Sequence, residues 1–241
     1  MSRVFMDLTD RLIQNYHQIR RGIDRSCVRA GRCVQEVELM AVTKYAPDEA
    51  VLALLQTGLI GHIGESRVQQ AVRRWTQPAF ACYPVKKHFI GHLQKNKVAP
   101  AAKLFDFIDS IDDICTARLL NDQAKALGKV MFALVQIKLT DRESQSGVSL
   151  AQAPQLVRDM QNLEFVRPCG YMAIAPQTDT PSLLRPLFQQ VKQAFDRDFP
   201  ATLPQRYLSL GMSADFETAV EEGSTLPRVG SKLFAVHLEE L

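Results

Sequence analysis

Between residues 37 and 234, eight short apolar runs alternate with stretches of helical spacing, and this alternation restricts the fold more than any other feature of the chain. The runs occupy 37–44, 61–65, 88–93, 105–111, 130–139, 165–174, 207–212 and 228–234. Each suits a strand buried on both faces. The segments between them, 47–57, 66–75, 95–103, 112–127, 150–162, 181–199 and 213–222, read as helices. Pro47 and Pro181 fall at first turns, Asp48 and Glu49 follow Pro47, and Gly128 and Gly223 stand just past two ends, as helix polarity favours. A further amphipathic helix is predicted over 3–30. Parallel strands joined by helices either close into a barrel or spread into a long doubly wound sheet. No Gly-x-Gly-x-x-Gly turn follows the first run, so the expectation is an α/β fold: one (β/α)8 barrel of the TIM type over residues 1–241, with an extra N-terminal helix.

Composition narrows the function classes. With 29 Lys+Arg against 26 Asp+Glu, the net charge of +3 is too small to argue for nucleic acid, which needs a concentrated basic surface. The one dense basic run, Arg20, Arg21, Arg25, Arg29 and Arg32, has mostly helical spacing and reads as a solvated helix face. Five cysteines without Cys-x-x-Cys spacing suggest neither a disulfide framework nor a zinc site. No stretch has the length and apolarity of a membrane span or signal peptide, so a cytoplasmic protein is expected.

In such barrels the chemistry sits at the C-terminal ends of the strands. The first run closes on Lys44, before Tyr45-Ala46-Pro47 turns into a helix. A lysine leaving a buried strand is less hydrated than a surface one, which suits a nucleophilic amine and imine formation. A strand-end lysine that snorkels to solvent leaves the same pattern.

The last two strands carry a second signal. Leu208-Ser209-Leu210-Gly211-Met212-Ser213 ends one strand with small residues before a helix, and Arg228-Val229-Gly230-Ser231 sets a guanidinium, a glycine and a hydroxyl on the next. Gly211 and Gly230 would let backbone amides approach an anion, with Ser213 and Ser231 adding hydroxyls. Ordinary turns with an N-cap serine are the alternative for either motif alone. His88 and His92 are four apart on an expected strand without an acidic partner nearby, which gives no metal site. His92 and Gln94 are expected at the mouth, either in a cofactor wall or as satisfied polar residues of a packed strand.

These motifs together resemble those of the pyridoxal-phosphate homeostasis protein family, single-domain barrels similar to the N-terminal domain of alanine racemase. Ala41-Val42-Thr43-Lys44 resembles the family's Ala-Val-Ser-Lys, and His88-Phe89-Ile90-Gly91-His92-Leu93-Gln94 followed by Asn96-Lys97 is similar to its most specific signature. Leu208 to Phe216 resembles Leu-Ser-Met-Gly-Met-Ser-x-Asp-Met, and Arg228 to Ser231 resembles Arg-Ile-Gly-Thr. The resemblance implies that Lys44 carries pyridoxal 5'-phosphate as a Schiff base. Gly211, Met212 and Ser213, with Gly230 and Ser231, would hold its phosphate, and Ser209 counts among the cofactor-binding residues. It places Ser66 and His92 beside the cofactor and Arg228 against the pyridine nitrogen. A guanidinium surrenders its proton too reluctantly to protonate that nitrogen, so the ring is a weakened electron sink and no strong catalytic activity is expected.

Three departures stand out. Gly64-Glu65-Ser66-Arg67 replaces the family's Gly-Glu-Asn-Tyr, Gln145 in Asp141 to Gly147 replaces a lysine that follows Glu143, and Leu233-Phe234-Ala235 replaces an ending in Phe-Gly. They spare the imine lysine and the phosphate turn and bear instead on affinity, release and transfer. The expected function is intracellular homeostasis of the vitamin B6 cofactor, with apo forms of pyridoxal-phosphate enzymes as possible recipients and no nucleic-acid or membrane partner. A pyridoxal-phosphate-dependent racemase is the alternative. Two-base racemisation needs an acid/base group on the opposite ring face, which related racemases take from a second domain of a partner subunit. Only seven residues follow the last expected strand, so a non-catalytic monomer is expected. A phosphosugar-binding barrel would use the same anion turn but gives Lys44 no imine role.

Overall fold

A computed structural model describes residues 3–140, 145–178 and 180–235. The chain begins with α1 (Arg3–Arg29) and a 3-10 turn at Val34–Glu36, then enters β1 (Met40–Val42) and α2 (Asp48–Gln56). Next come β2 (His62–Glu65), α3 (Val68–Trp75), the short α4 (Pro78–Ala81) and β3 (Lys86–Phe89). A 3-10 turn (Lys95–Lys97) leads into α5 (Val98–Leu104), β4 (Phe107–Ile111), α6 (Ile114–Ala126) and β5 (Met131–Ile137). The remainder is α7 (Ala153–Gln161), β6 (Val166–Ala173), α8 (Pro181–Asp198), β7 (Tyr207–Ser209), α9 (Phe216–Glu221) and β8 (Arg228–Val229).

The eight strands are parallel and follow the order β7-β6-β5-β4-β3-β2-β1-β8. Between β8 and β7 the seam is bridged by the Leu226 amide on the Leu208 carbonyl (3.2 Å) and the Arg228 amide on the Gly211 carbonyl (3.0 Å). The result is the nearly closed barrel that the alternation predicted. Side chains alternate in and out along each strand. On β5, Met131, Ala133, Val135 and Ile137 face the helices, while Leu134 joins Met40, Phe107, Cys169, Met172, Tyr207 and Leu226 in a separate cluster.

The strands are shorter than the apolar runs. The third differs most: it starts two residues earlier, at Lys86, and stops at Phe89, so His92 and Leu93 lie in the following loop. The cause is backbone contact. A Cβ on Gly91 would sit 2.2 Å from the Ser66 carbonyl oxygen, so the loops after β2 and β3 touch main chain to main chain at the point where the strand was expected to continue. The last strand covers only Arg228–Val229, because the chain turns at 231–234 and the Phe234 amide bonds back to the Gly230 carbonyl (2.9 Å).

The N-terminal helix buries Leu12, Ile19, Ile23 and Cys27 against α2 and α9. Its basic run is only partly a solvated face. Arg20 binds the Val37 and Val34 carbonyls (2.7 and 2.8 Å), Arg32 binds the Ser224 carbonyl (3.0 Å), and Arg29 pairs with Glu221 and Glu217. Arg20 and Arg29, with Arg32 just past its end, fasten the leading helix to the barrel's N-terminal end; Arg21 and Arg25 are exposed as expected.

Candidate functional site

Past β1 the chain turns at Lys44 and Tyr45, two residues beyond the strand rather than at its tip. The carbonyls that would extend the ladder are taken by side chains of α3: Gln70 Nε2 binds the Lys44 carbonyl (2.9 Å), and Arg74 Nη1 binds that of Thr43 (3.0 Å). Lys44 is half-buried, its Nζ 5.1 Å from the centroid of the exposed Tyr45 ring. Lys44 therefore stands at the C-terminal mouth, on the turn that follows β1.

Beneath the turn lies a network that sequence reasoning missed. Arg74, 3% exposed, binds the Ala46 carbonyl (2.7 Å), Asp48 (2.7 Å) and the buried Glu65 (2.8 Å) as well as Thr43. Glu65 Oε1 also accepts the Thr43 hydroxyl (2.7 Å). A signal was present: Val68, Ala71 and Trp75 mark the buried stripe of α3, and Arg74, three residues after Ala71, falls on it. An arginine on an apolar stripe has to find acceptors inside.

The loops after β7 and β8 meet over the barrel seam. Gly211 has φ +85°, and a Cβ there would lie 2.5 Å from Ala219 Cβ and 2.9 Å from Phe216 Cα, so both turn geometry and packing require glycine. A Cβ on Gly230 would approach the Val42 carbonyl oxygen at 2.9 Å, which brings this loop against the end of β1, two residues from Lys44. Ser213 lies between them, and its Oγ accepts the Gly230 and Lys232 amides at 3.3 and 3.4 Å. These bonds are long. Helix α9 starts at Phe216 rather than Ser213, because Asp215 (φ −129°, ψ 8°) lies outside helical geometry, with its Oδ1 accepting the Met212 amide (2.6 Å). Met212 and Ser231 are exposed at the rim.

Arg228 lies inside, 4% exposed. It donates to the Ser209 carbonyl (2.6 Å) and hydroxyl (2.8 Å) and to the Ala173 carbonyl (2.9 Å), and burial lowers its pKa to about 10. Across the mouth, Ser66 is half-buried and His92 exposed, with His92 Nδ1 3.3 Å from Ser146 Oγ. Gln145 is anchored by Thr140 (2.6 Å to the hydroxyl) and the Ile174 carbonyl (2.8 Å), an amide that ties the loop after β5 to the end of β6. Asp141 to Ser144, including Glu143, lie outside the described residues. Burial pushes the Asp112 carboxyl above its ordinary range although it accepts the Gly147 amide (3.1 Å).

Lys44, Ser66, His92, Gly211, Met212, Ser213, Gly230 and Ser231 therefore all lie on strand-end loops at the C-terminal mouth, and Ser209 and Arg228 lie in the barrel wall below them. These residues fit a phosphorylated aldehyde. The Ser213 oxygen already stands where two loop amides converge, and the charge-assisted bonds of a phosphate oxygen are the shorter and stronger ones. Across the seam, the amine of Lys44 would supply the carbonyl-reactive group.

Comparison with known proteins places the chain. Residues 10–237 match the family described as alanine racemase, N-terminal domain. The chain is 33% identical to the pyridoxal phosphate homeostasis protein of Pasteurella multocida over 224 residues (92% of this chain, 95% of that protein). It is 34% identical to that of Escherichia coli K12 over 230 residues (92% and 95%). Among solved structures, PipY of Synechococcus elongatus with pyridoxal phosphate bound has a TM-score of 0.75 at 31% identity, covering 88% of this chain and 99% of its own. Alanine racemase of Clostridium difficile shares the fold, with a TM-score of 0.73 at 15% identity over 93% of this chain and 59% of its own. The chain belongs to the alanine racemase N-terminal-domain family and, within it, to the pyridoxal phosphate homeostasis proteins.

Proposed function

We propose that this protein binds pyridoxal 5'-phosphate as a Schiff base on Lys44 and serves the homeostasis of that cofactor rather than catalysis. The observation that carries the proposal is the pairing across one mouth of a half-buried lysine with a glycine-serine turn, in a chain 31% identical to a protein solved with pyridoxal phosphate bound. When bound, the cofactor supplies an electron-withdrawing imine. The chain's own residues do the rest. Loop amides around Ser213 take the phosphate, with Gly211 and Gly230 keeping the backbone close and Met212 and Ser231 on the rim. Ser66 and His92 flank the ring, and Arg228, held by Ser209, faces its nitrogen. A guanidinium there leaves that nitrogen unprotonated, which disfavours carbanion chemistry.

The cofactor would be kept masked in the cytoplasm by a monomeric, single-domain protein and passed to apo-enzymes. The test is optical and chemical. Purified protein should show the absorption of a protonated imine, borohydride should bleach it, and mapping should put the reduced adduct on Lys44. Lys44→Ala should abolish the band; an unchanged spectrum in that variant refutes the proposal. Amino-acid α-proton exchange well above the rate with free cofactor would favour a racemase-type enzyme instead.

A further inference from the structure

A second polar system runs through the end of the barrel opposite Lys44. Glu38 precedes β1, His62 opens β2, His88 lies in β3 and Asp109 in β4. Their side chains form one continuous row. A Glu38 carboxylate oxygen meets His62 Nε2, His62 Nδ1 is 2.9 Å from His88 Nε2, and His88 Nδ1 is 3.0 Å from each Asp109 oxygen. One end is wet and the other dry: the Glu38 side chain is 48% exposed, His62 only 2%, and His88 and Asp109 not at all. Glu38 borders a cavity of about 790 Å³ at the N-terminal mouth, together with Arg206 and Tyr207 at the start of β7 and Thr225 ahead of β8.

The row is walled by rings. Phe107 stacks on His88 (centroids 4.2 Å apart), and Tyr207 packs edge-on against His62 (5.5 Å). Among the described residues, the charged or titratable groups facing the row are Tyr207, Lys86, whose Nζ bonds Tyr207 Oη (3.0 Å), the buried Cys169, and Arg228, on which Asp109 acts through space.

Two carboxyls and two imidazoles joined by three hydrogen bonds need one proton per bond. Two placements leave each imidazole with a single ring proton. In one, Asp109 is protonated, both histidines carry their proton on Nε2, and Glu38 is ionised. In the other, Glu38 is protonated, both histidines carry Nδ1–H, and Asp109 is ionised. The first becomes the second when Asp109 passes its proton to His88 Nδ1, His88 Nε2–H passes to His62 Nδ1, and His62 Nε2–H passes to Glu38. Each proton crosses only its own hydrogen bond, the total charge is unchanged, and one unit of negative charge has moved from Glu38 to Asp109.

We propose that Glu38, His62, His88 and Asp109 form a proton relay connecting water at the N-terminal mouth with the sealed interior that holds Arg228. Burial keeps His62 below its ordinary pKa, so at neutral pH it holds one ring proton, as a relay member must. A consequence that rests on the cofactor reading is that the charge near Arg228, and with it the hold on the ring, answers to protons entering at the far mouth. The relay itself does not depend on that reading.

The test is solvent exchange of the His88 ring proton, read by NMR on the full-length protein labelled with 15N-histidine. His88 has no exposed surface, so its proton should reach solvent through His62 and Glu38. Glu38→Gln, at the half-exposed end, should slow the exchange by about tenfold or more. His62→Phe, which fills the ring's place with a side chain that carries no proton, should do the same. A His88 rate unchanged in either folded variant overturns the relay. Cofactor occupancy is not the readout, so its loss would leave the relay standing, and a failed relay would leave Lys44 and its cofactor untouched.

Discussion

Glu65 and Arg74 form a buried ion pair, 2.8 Å between Oε1 and Nη1, and the same guanidinium binds the carbonyls of Thr43 and Ala46 on either side of Lys44. The lysine's backbone is thus fixed from below by a residue that never reaches the mouth. Glu65 Oε2 is buried with no hydrogen-bond partner, so the carboxylate depends heavily on this one cation. Arg74→Met should therefore cost about 3–5 kcal/mol, the usual penalty for stranding one member of a buried pair. Urea unfolding measures that cost. Cofactor affinity should fall as well, because the Lys44 turn loses two anchors; a variant destabilised yet binding pyridoxal phosphate with unchanged affinity would show that the turn does not need the clamp. Arg74→Lys should recover little, since an ammonium lacks the planar fork that reaches four acceptors.

Gly211 combines a left-handed φ of +85° with a Cβ position already filled by Ala219 and Phe216. Gly211→Ala should destabilise the protein by roughly 1–3 kcal/mol through overpacking, with backbone strain in addition. The turn that supports Ser213 would shift with it. Thermal unfolding and cofactor titration should both move; retention of full affinity would remove the phosphate role from this turn.

Arg228 fills three interior acceptors, the carbonyl and hydroxyl of Ser209 and the carbonyl of Ala173. Arg228→Leu removes the charged donor from all three, although the Ser209 hydroxyl keeps its bond to the Leu226 carbonyl (3.0 Å), and hydrogen bonds to a charged donor are worth about 1.5–3 kcal/mol each. The informative measurement is the rate at which bound pyridoxal phosphate leaves. It should rise several-fold relative to the wild type, and equal retention would refute the placement of this guanidinium against the ring.

The fold was legible because eight apolar runs with helical spacers have few ways to bury themselves, and the lysine and glycine motifs were legible because each is local in sequence. Strand ends were less so. Periodicity assigned His92 and Leu93 to a strand, whereas the contact between Gly91 and Ser66 ends it early; the same strand begins at Lys86, ahead of the apolar run, and Lys86 turns inward to Tyr207. The Arg74 clamp and the Glu38 to Asp109 row stayed hidden for a different reason. Each is assembled from residues that meet only when separate strands and helices align, and sequence distance carries no mark of that register.

The same register gives stability a pH dependence of definite sign. His62 is held below its ordinary value of 6.5 by burial, and Glu38 below 4.5 by its hydrogen bond to His62. Both bind a proton more weakly folded than unfolded. Their contribution to stability is therefore present above the unfolded values and lost as pH falls through the folded ones. For His62 the loss begins below 6.5 and for Glu38 below 4.5. Urea midpoints should stay flat from about pH 8 to about pH 7, then fall toward about pH 5. His62→Phe has no proton to take up at that position, so its curve should be flatter between about pH 6.5 and about pH 5. A variant curve parallel to the wild type over that interval would mean that His62 does not set the acid limit.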